Sequence, residues 1–265
     1  MQPVIQPSEQ DILNALPNAE FFVLYQPEFD VRSHQIKSLE ALVRWRDKKF
    51  GIISPAVFIP VLEKHHKVGV IFDFVLNEAL RQMHGFQRVS PSLSIAVNVS
   101  ADQTDDENLP DKIKAALHKH KIEPKSLELE ITETALLKNK KQAVQLFERI
   151  GQLGVSLALD DFGTGFSDYS YLKMFRAQKL KIDRSFLQKS PEVVGNLIRL
   201  GHFWNMKVTA EGCETVRQFD ILHENDCDYV QGFLFAKPMN EKVILKMLRQ
   251  ERDTLLFTQR CQKER

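Results

Sequence analysis

The 265-residue chain has little cysteine: Cys213, Cys227 and Cys261 stand far apart with no C-x-x-C spacing. An odd, scattered set argues against a disulfide framework or a zinc knuckle and for reduced, structural thiols. Charge of one sign is also missing. Lys and Arg number 36 against 35 Asp and Glu, a net charge of +1, so the composition lacks the basic footprint of a phosphate-backbone binder and DNA is not an expected partner. Long apolar runs are absent as well. The most apolar stretch, Val68–Leu76, is broken by Asp73 and is far shorter than the ~20 residues of a membrane-spanning helix. The N-terminal Met1–Pro7 has neither the basic flank nor the apolar core of a signal peptide, which gives the expectation of a soluble, cytoplasmic protein. There is no Gly/Ser linker, composition break or internal repeat. What is present is ordinary for a globular chain, 43% hydrophobic and 27% charged, and the length suits one large α/β barrel.

Period-2 apolar runs predict eight strands near 21–27, 38–45, 92–99, 126–132, 155–160, 179–183, 207–211 and 229–235. Period-3.6 runs predict helices near 54–66, 68–84, 108–120, 140–153, 168–174, 193–205, 214–225 and 240–256, after a short lead-in helix near 8–16. Strands alternating with helices imply an α/β fold, a (β/α)8 or TIM barrel. The first two strands are joined by only about ten residues without a helical pattern, too few for a parallel crossover, so the first strand is expected to run antiparallel and the barrel to be a modified one. The expected division is a lead-in over 1–20, the barrel over 21–256 and a polar tail over 257–265.

Barrel strands send alternate side chains to the helices and to the interior, and the helix-facing set must be apolar. Leu39, Ala41, Val43 and Trp45 alternate with Glu40, Leu42 and Arg44, and Leu93, Ile95, Val97 and Val99 alternate with Asn98 and its neighbours. The same parity turns Glu130, Asp160, Lys181 and Glu211 inward. Most fall late in their strands, at the C-terminal mouth where barrels carry chemistry. With Asp161, five carboxylates then share one mouth, a set that cannot stay ionised without cations. Two divalent ions and Lys181 would balance the charge, and oxygen donors including the Asn98 amide suit Mg²⁺ or Mn²⁺ rather than zinc. Two such metals would clamp a phosphodiester and activate water. Taken singly, an inward Glu is as well explained by a buried ion pair, and Asp160-Asp161 by a helix-capping turn. Six positions on six strands are much harder to explain that way, because each uncompensated buried charge costs several kcal/mol.

These residues resemble a known family. Glu40-Ala41-Leu42 followed by Val43-Arg44-Trp45 is similar to the signature of EAL domains, bacterial phosphodiesterases that hydrolyse cyclic di-GMP to linear pGpG. The resemblance continues through Tyr25-Gln26-Pro27, Phe58-Ile59-Pro60, Asn98-Val99-Ser100, Glu128 to Glu133, Asp160-Asp161-Phe162-Gly163-Thr164-Gly165, Lys181-Ile182-Asp183, Glu211-Gly212-Cys213-Glu214 and Gln231-Gly232, nearly the whole chain in order. It implies that Glu40, Asn98, Glu130 and Asp160 bind one metal, and Asp160, Asp161 and Glu211 a second. Lys181 would hold or activate the water, with Gln231 near it. Glu133 would anchor the loop Phe162–Ser167, Glu214 would support the ligands from behind, and Gln26, Leu42 and Arg44 would contact the dinucleotide. Val43, Phe166 and Cys213 depart from the commoner family residues without removing a ligand. The competing reading is a catalytically silent relative that binds the dinucleotide or a protein as a regulator; the completeness of the ligand set favours the enzyme. Similar domains pair through the loop after strand 5 and the helix after strand 6, so a homodimer is expected, weakened by the short stretch Gln188–Glu192.

Overall fold

The alternation read from the sequence is realised in the computed structural model, which describes residues 7–18, 20–138, 140–163 and 175–251. The strands are β1 (Phe21–Asp30), β2 (Ile36–Asp47), β3 (Gly51–Ile53), β4 (Ser94–Val99), β5 (Leu127–Thr132), β6 (Ser156–Phe162), β7 (Lys179–Ile182), β8 (Lys207–Ala210) and β9 (Tyr229–Val230). Their order is β1-β2-β4-β5-β6-β7-β8-β9, and β9 pairs back onto β1 to close an eight-stranded barrel, with β3 added outside β2. β1 is antiparallel to both β2 and β9, as expected, while the remaining barrel pairs are parallel. The reversal is local in origin. Asp30 Oδ1 accepts from the N–H groups of Arg32 and Ser33, and the His34 N–H returns to the Asp30 carbonyl, so the chain turns back at once with no room for a crossover helix.

The surrounding helices are α1 (Glu9–Ala15), α2 (Pro55–Lys64), α3 (Val68–Gln87), α4 (Leu109–His120), α5 (Glu133–Lys138), α6 (Lys140–Gln152), α7 (Arg184–Lys189), α8 (Pro191–Phe203), α9 (Val216–Glu224) and α10 over 241–251. Local chemistry sets their starts: reciprocal capping boxes at Ser8 with Asp11 and at Thr215 with Gln218, and prolines in the first turns of α2, α4 and α8. The core lies between ring and barrel, where Leu39, Ile95, Leu129, Leu159, Leu180 and Val208 are fully enclosed.

Besides α5, a short helix that the periodicity does not predict, four differences from the sequence reading have plain causes. β3 is three residues long, too short for a periodicity to show. The last strand stops at Val230 because Gly232 turns the chain, and the Leu234 N–H then bonds to the Cys213 carbonyl. α7 was not anticipated; Asp183 caps it through the Ser185 N–H at 3.0 Å. α8 begins at Pro191 rather than 193. The helix expected over 168–174, the loop beyond Gly163 to Ser167, the end of the last helix and the tail 257–265 with Cys261 lie outside the described residues. Cys213 and Cys227 are buried free thiols, and burial pushes the Cys213 thiol up to about 11. Among the described residues no helix is long and apolar enough to cross a membrane.

Candidate active site

Strand register brings the polar interior residues to one level. Gln26 of β1 lies opposite Glu40 of β2, Asn98 of β4 is beside Glu130 of β5, and Thr132 is beside Asp160 of β6. Plain alternation would send Asp160 inward and Asp161 away. Instead the ladder between β6 and β7 shifts register between Leu159 and Phe162, and Asp161 takes a left-handed backbone, φ 52°. That bulge lets two consecutive aspartates face the same mouth. The turn of the chain is made at Asp161 itself, with Gly163 (φ 93°) carrying it onward.

Lys181 is the centre of the site. Its Nζ lies 2.6 Å from Glu211 Oε1, 2.8 Å from Glu130 Oε1, 3.3 Å from Asp160 Oδ1 and 3.7 Å from Glu40 Oε2. The ammonium is fully buried and is held by charge on four sides rather than by one directed hydrogen bond. Glu40 is fixed from both sides: Asn98 Nδ2 donates to Oε1 at 2.8 Å and Gln231 Nε2 to Oε2 at 2.9 Å. The Asp161 N–H donates to Asp160 Oδ1 at 3.0 Å. Gln231 is delivered by a close approach. A Cβ on Gly232 would lie 2.1 Å from the Cys213 carbonyl oxygen, so only glycine lets the Gln231 turn nest against the loop that follows Glu211.

One ammonium does not balance five carboxylates in a buried space, and their pKa values are displaced accordingly. Burial, with Asp160 next, pushes the Glu211 carboxyl up to about 8 despite the opposing Lys181 charge. Burial and the adjacent Asp160 raise Asp161 to about 6. Burial and Glu40 hold Glu130 well above the usual carboxylate range. For Glu40 itself burial is outweighed by Lys181 and the two amide donors, so it stays below its ordinary value. Lys181 is raised, because four carboxylates overcome its own burial.

The donor set fits divalent cations. Carboxylate oxygens of Asp160, Asp161 and Glu211 lie within 4.8 Å of one another, and Glu130 Oε2 is buried with no hydrogen-bond partner, an acceptor left for something that is not a donor side chain. All of these ligating groups are oxygen atoms, which suits hard ions.

Other expected residues are placed less uniformly. Glu133 is buried at the start of α5 and accepts the Gly163 N–H at 3.3 Å, so it does tie down the start of the loop after β6. Leu42 lines a cavity of about 570 Å³ that runs from Glu40 and Asn98 between α2 and α3. Arg44 is half-buried and its Nη1 donates to the Val43 carbonyl at 2.7 Å, while Gln26 Nε2 donates to the Ala236 carbonyl at 3.2 Å. Glu214 is exposed, its backbone N–H held by Gln218, and its carboxylate makes none of the ion pairs of the cluster. Sequence reasoning assigned no role to a second buried charge group one level below: Lys179 Nζ lies 2.8 Å from both Glu28 Oε1 and Glu128 Oε1, and Thr209 Oγ1 donates to Glu28 Oε2 at 2.7 Å. The parity that found Glu130 and Lys181 also turns Glu128 and Lys179 inward, two residues earlier on the same faces.

A barrel with one reversed strand and this acid-and-lysine mouth defines a class, and the match is direct: the EAL domain family model fits residues 9–238, so the chain belongs to the EAL domain family. Among curated proteins it is 36% identical over 248 residues to the cyclic di-GMP phosphodiesterase NbdA of Pseudomonas aeruginosa, covering 91% of this chain and 32% of that protein. It is 32% identical over 237 residues to the cyclic di-GMP phosphodiesterase PdeR of Escherichia coli, covering 87% of this chain and 36% of that protein. The chain thus spans about a third of the length of the curated relatives it matches. Among solved structures, the PaMucR phosphodiesterase in complex with c-di-GMP superposes with a TM-score of 0.85 at 35% identity, covering 89% of this chain and 98% of that one. The EAL enzyme Bd1971, bound to cAMP and cyclic di-GMP, gives 0.86 at 30% identity, covering 91% of this chain and 68% of that one.

Proposed function

We propose that this chain is a metal-dependent phosphodiesterase that hydrolyses cyclic di-GMP to linear pGpG. The observation that carries the reading is the buried Lys181 ammonium ringed by Glu40, Glu130, Asp160 and Glu211, with a partnerless Glu130 oxygen beside it. Relatives whose names state this activity share a third of its residues over most of its length. Two ions, Mg²⁺ or Mn²⁺, would be held by Glu40, Asn98, Glu130 and Asp160 and by Asp160, Asp161 and Glu211. When bound they supply Lewis-acid stabilisation of the phosphate charge and a more acidic water. Lys181 would orient the attacking water and place positive charge where the transition state develops negative charge. Glu40, held by Asn98 and Gln231, keeps the ammonium and the amide of Gln231 on the attack side. Water adds to phosphorus, the P–O3′ bond breaks, and the 3′-oxygen leaves with a proton to give a free 3′-hydroxyl and a 5′-phosphate.

The substrate is a large ring bearing two purines, and the cavity beside Glu40 has the apolar walls a base needs, from Leu42, Pro55, Ile59 and Phe72, with Glu63 as a polar acceptor. Arg44, whose forked donors suit a phosphate or a guanine edge, sits one strand step beyond Leu42. A homodimer through α8 belongs to the same reading. Incubating the purified chain with cyclic di-GMP and Mg²⁺ and resolving products by chromatography tests it: pGpG is expected, and binding without product would favour the silent receptor instead.

A further inference from the structure

The second charge group in the barrel interior is not used by the chemistry above. Glu28, Glu128 and Lys179 are all buried, and the two glutamates differ in what else holds them. Glu28 has Thr209 as well as Lys179, whereas among the described residues Lys179 is the side chain that donates to Glu128. Glu128 and Glu130 are successive inward residues of β5, and Lys179 and Lys181 are successive inward residues of β7, so each pair is separated by about 7 Å along its strand. A lysine side chain spans most of that distance. Two carboxylate levels therefore compete for two ammonium groups.

We propose that Lys179 is a positioning residue for Lys181: by pairing with Glu128 it removes the lower competitor and leaves the Lys181 ammonium at the upper level among Glu130, Asp160, Glu211 and Glu40. Without Lys179, an unpaired carboxylate buried beneath the site draws Lys181 down, because leaving a buried charge without a partner costs more than lengthening contacts that the mouth can replace with water. The inference rests on the phosphodiesterase reading only for its kinetic arm.

The test combines Lys179→Met, Glu128→Gln and the double variant. In the metal-free crystal structure of Lys179→Met, Lys181 Nζ is expected within hydrogen-bond distance of Glu128, with its present 2.6 Å and 2.8 Å contacts to Glu211 and Glu130 broken. In turnover, Lys179→Met should lower kcat by at least about tenfold with KM within about twofold, and adding Glu128→Gln should restore kcat to within about threefold of wild type. A merely structural role predicts that Lys179→Met is destabilised with Lys181 left in its present contacts, since removing both halves of a buried pair restores stability in either case. If Lys179→Met does not fold, Glu128→Gln is compared with the double variant: equal kcat supports the proposal and a tenfold difference overturns it. Lys181 unmoved in the Lys179→Met structure, or kcat not recovered in the double variant, also overturns it. A wild-type chain with no turnover would defeat the functional reading alone, since the displacement of Lys181 is read in the structures.

Discussion

At the residue scale the site is a problem of unbalanced charge. Lys181 touches four carboxylates, and in the mechanism proposed above its ammonium would serve the developing charge of the reaction more than the ground state of the substrate. Lys181→Ala is expected to lower kcat by about a hundredfold or more while KM stays within a few-fold. Steady-state kinetics decide this, and a raised KM with unchanged kcat would reassign the lysine to phosphate binding. Glu40→Ala removes the carboxylate that Asn98 and Gln231 converge on. Its activity should fall below about a tenth of wild type, a barrier change above ~1.4 kcal/mol. The raised carboxyls also fix a pH dependence. Glu211, at about 8, and Asp161, at about 6, hold protons in the metal-free folded state that the unfolded chain releases near its ordinary carboxylate values. The folded state then binds more protons than the unfolded one through this window, so stability of the metal-free protein falls as pH rises from about 4 to 8. In the proposed reading, divalent ions would replace those protons. Melting temperature in chelator should drop across that range, and Mg²⁺ should raise it most at the alkaline end; a metal effect independent of pH would contradict the assignment.

At the element scale, two backbone devices bring the polar groups of the mouth together. One is the bulge in β6, where Asp161 adopts φ 52° so that Asp160 and Asp161 share a face. The other is the contact of Gly232 with the backbone of Cys213, which brings Gln231 to Glu40 from one side and Glu211 to Lys181 from the other. Because the obstructing atoms at Gly232 are backbone, no side-chain adjustment relieves a substitution. Gly232→Ala should cost about 1–3 kcal/mol of stability, and with it most of the activity, because both the Gln231 and Glu211 segments must part. Thermal melts beside activity assays test this, and a fully active, unshifted variant would show that the two loops are not coupled.

At the scale of the whole molecule, α8 covers β7 and β8 with Val194, Leu197 and Ile198 while Phe203 at its end stays largely exposed. The homodimer proposed through α8 would cover this ring. If copies pair here, specific activity should rise with protein concentration in step with the mass seen by light scattering. A monomer whose activity is independent of concentration would refute that pairing and leave the chemistry untouched. Phe203→Ser would separate the two, lowering association without entering the barrel mouth.

Much of this is legible in the amino-acid sequence. Alternation on β2, β4, β5 and β7 separates helix-facing from inward residues by covalent geometry alone, so Glu40, Asn98, Glu130 and Lys181 could be assigned to one interior from the string of letters. The short link between the first two strands likewise dictated the reversal of β1. Tertiary structure decided what local pattern cannot encode. The level at which residues of different strands meet depends on barrel stagger, a property of the closed sheet, and it alone places Lys181 against Glu211 and Lys179 against Glu28. The joint inward turn of Asp160 and Asp161 breaks alternation through a bulge set by pairing with β7. The raised Glu211 carboxyl and the partnerless oxygen of Glu130 follow from burial among neighbours drawn from across the chain, and burial is a quantity that no single segment carries.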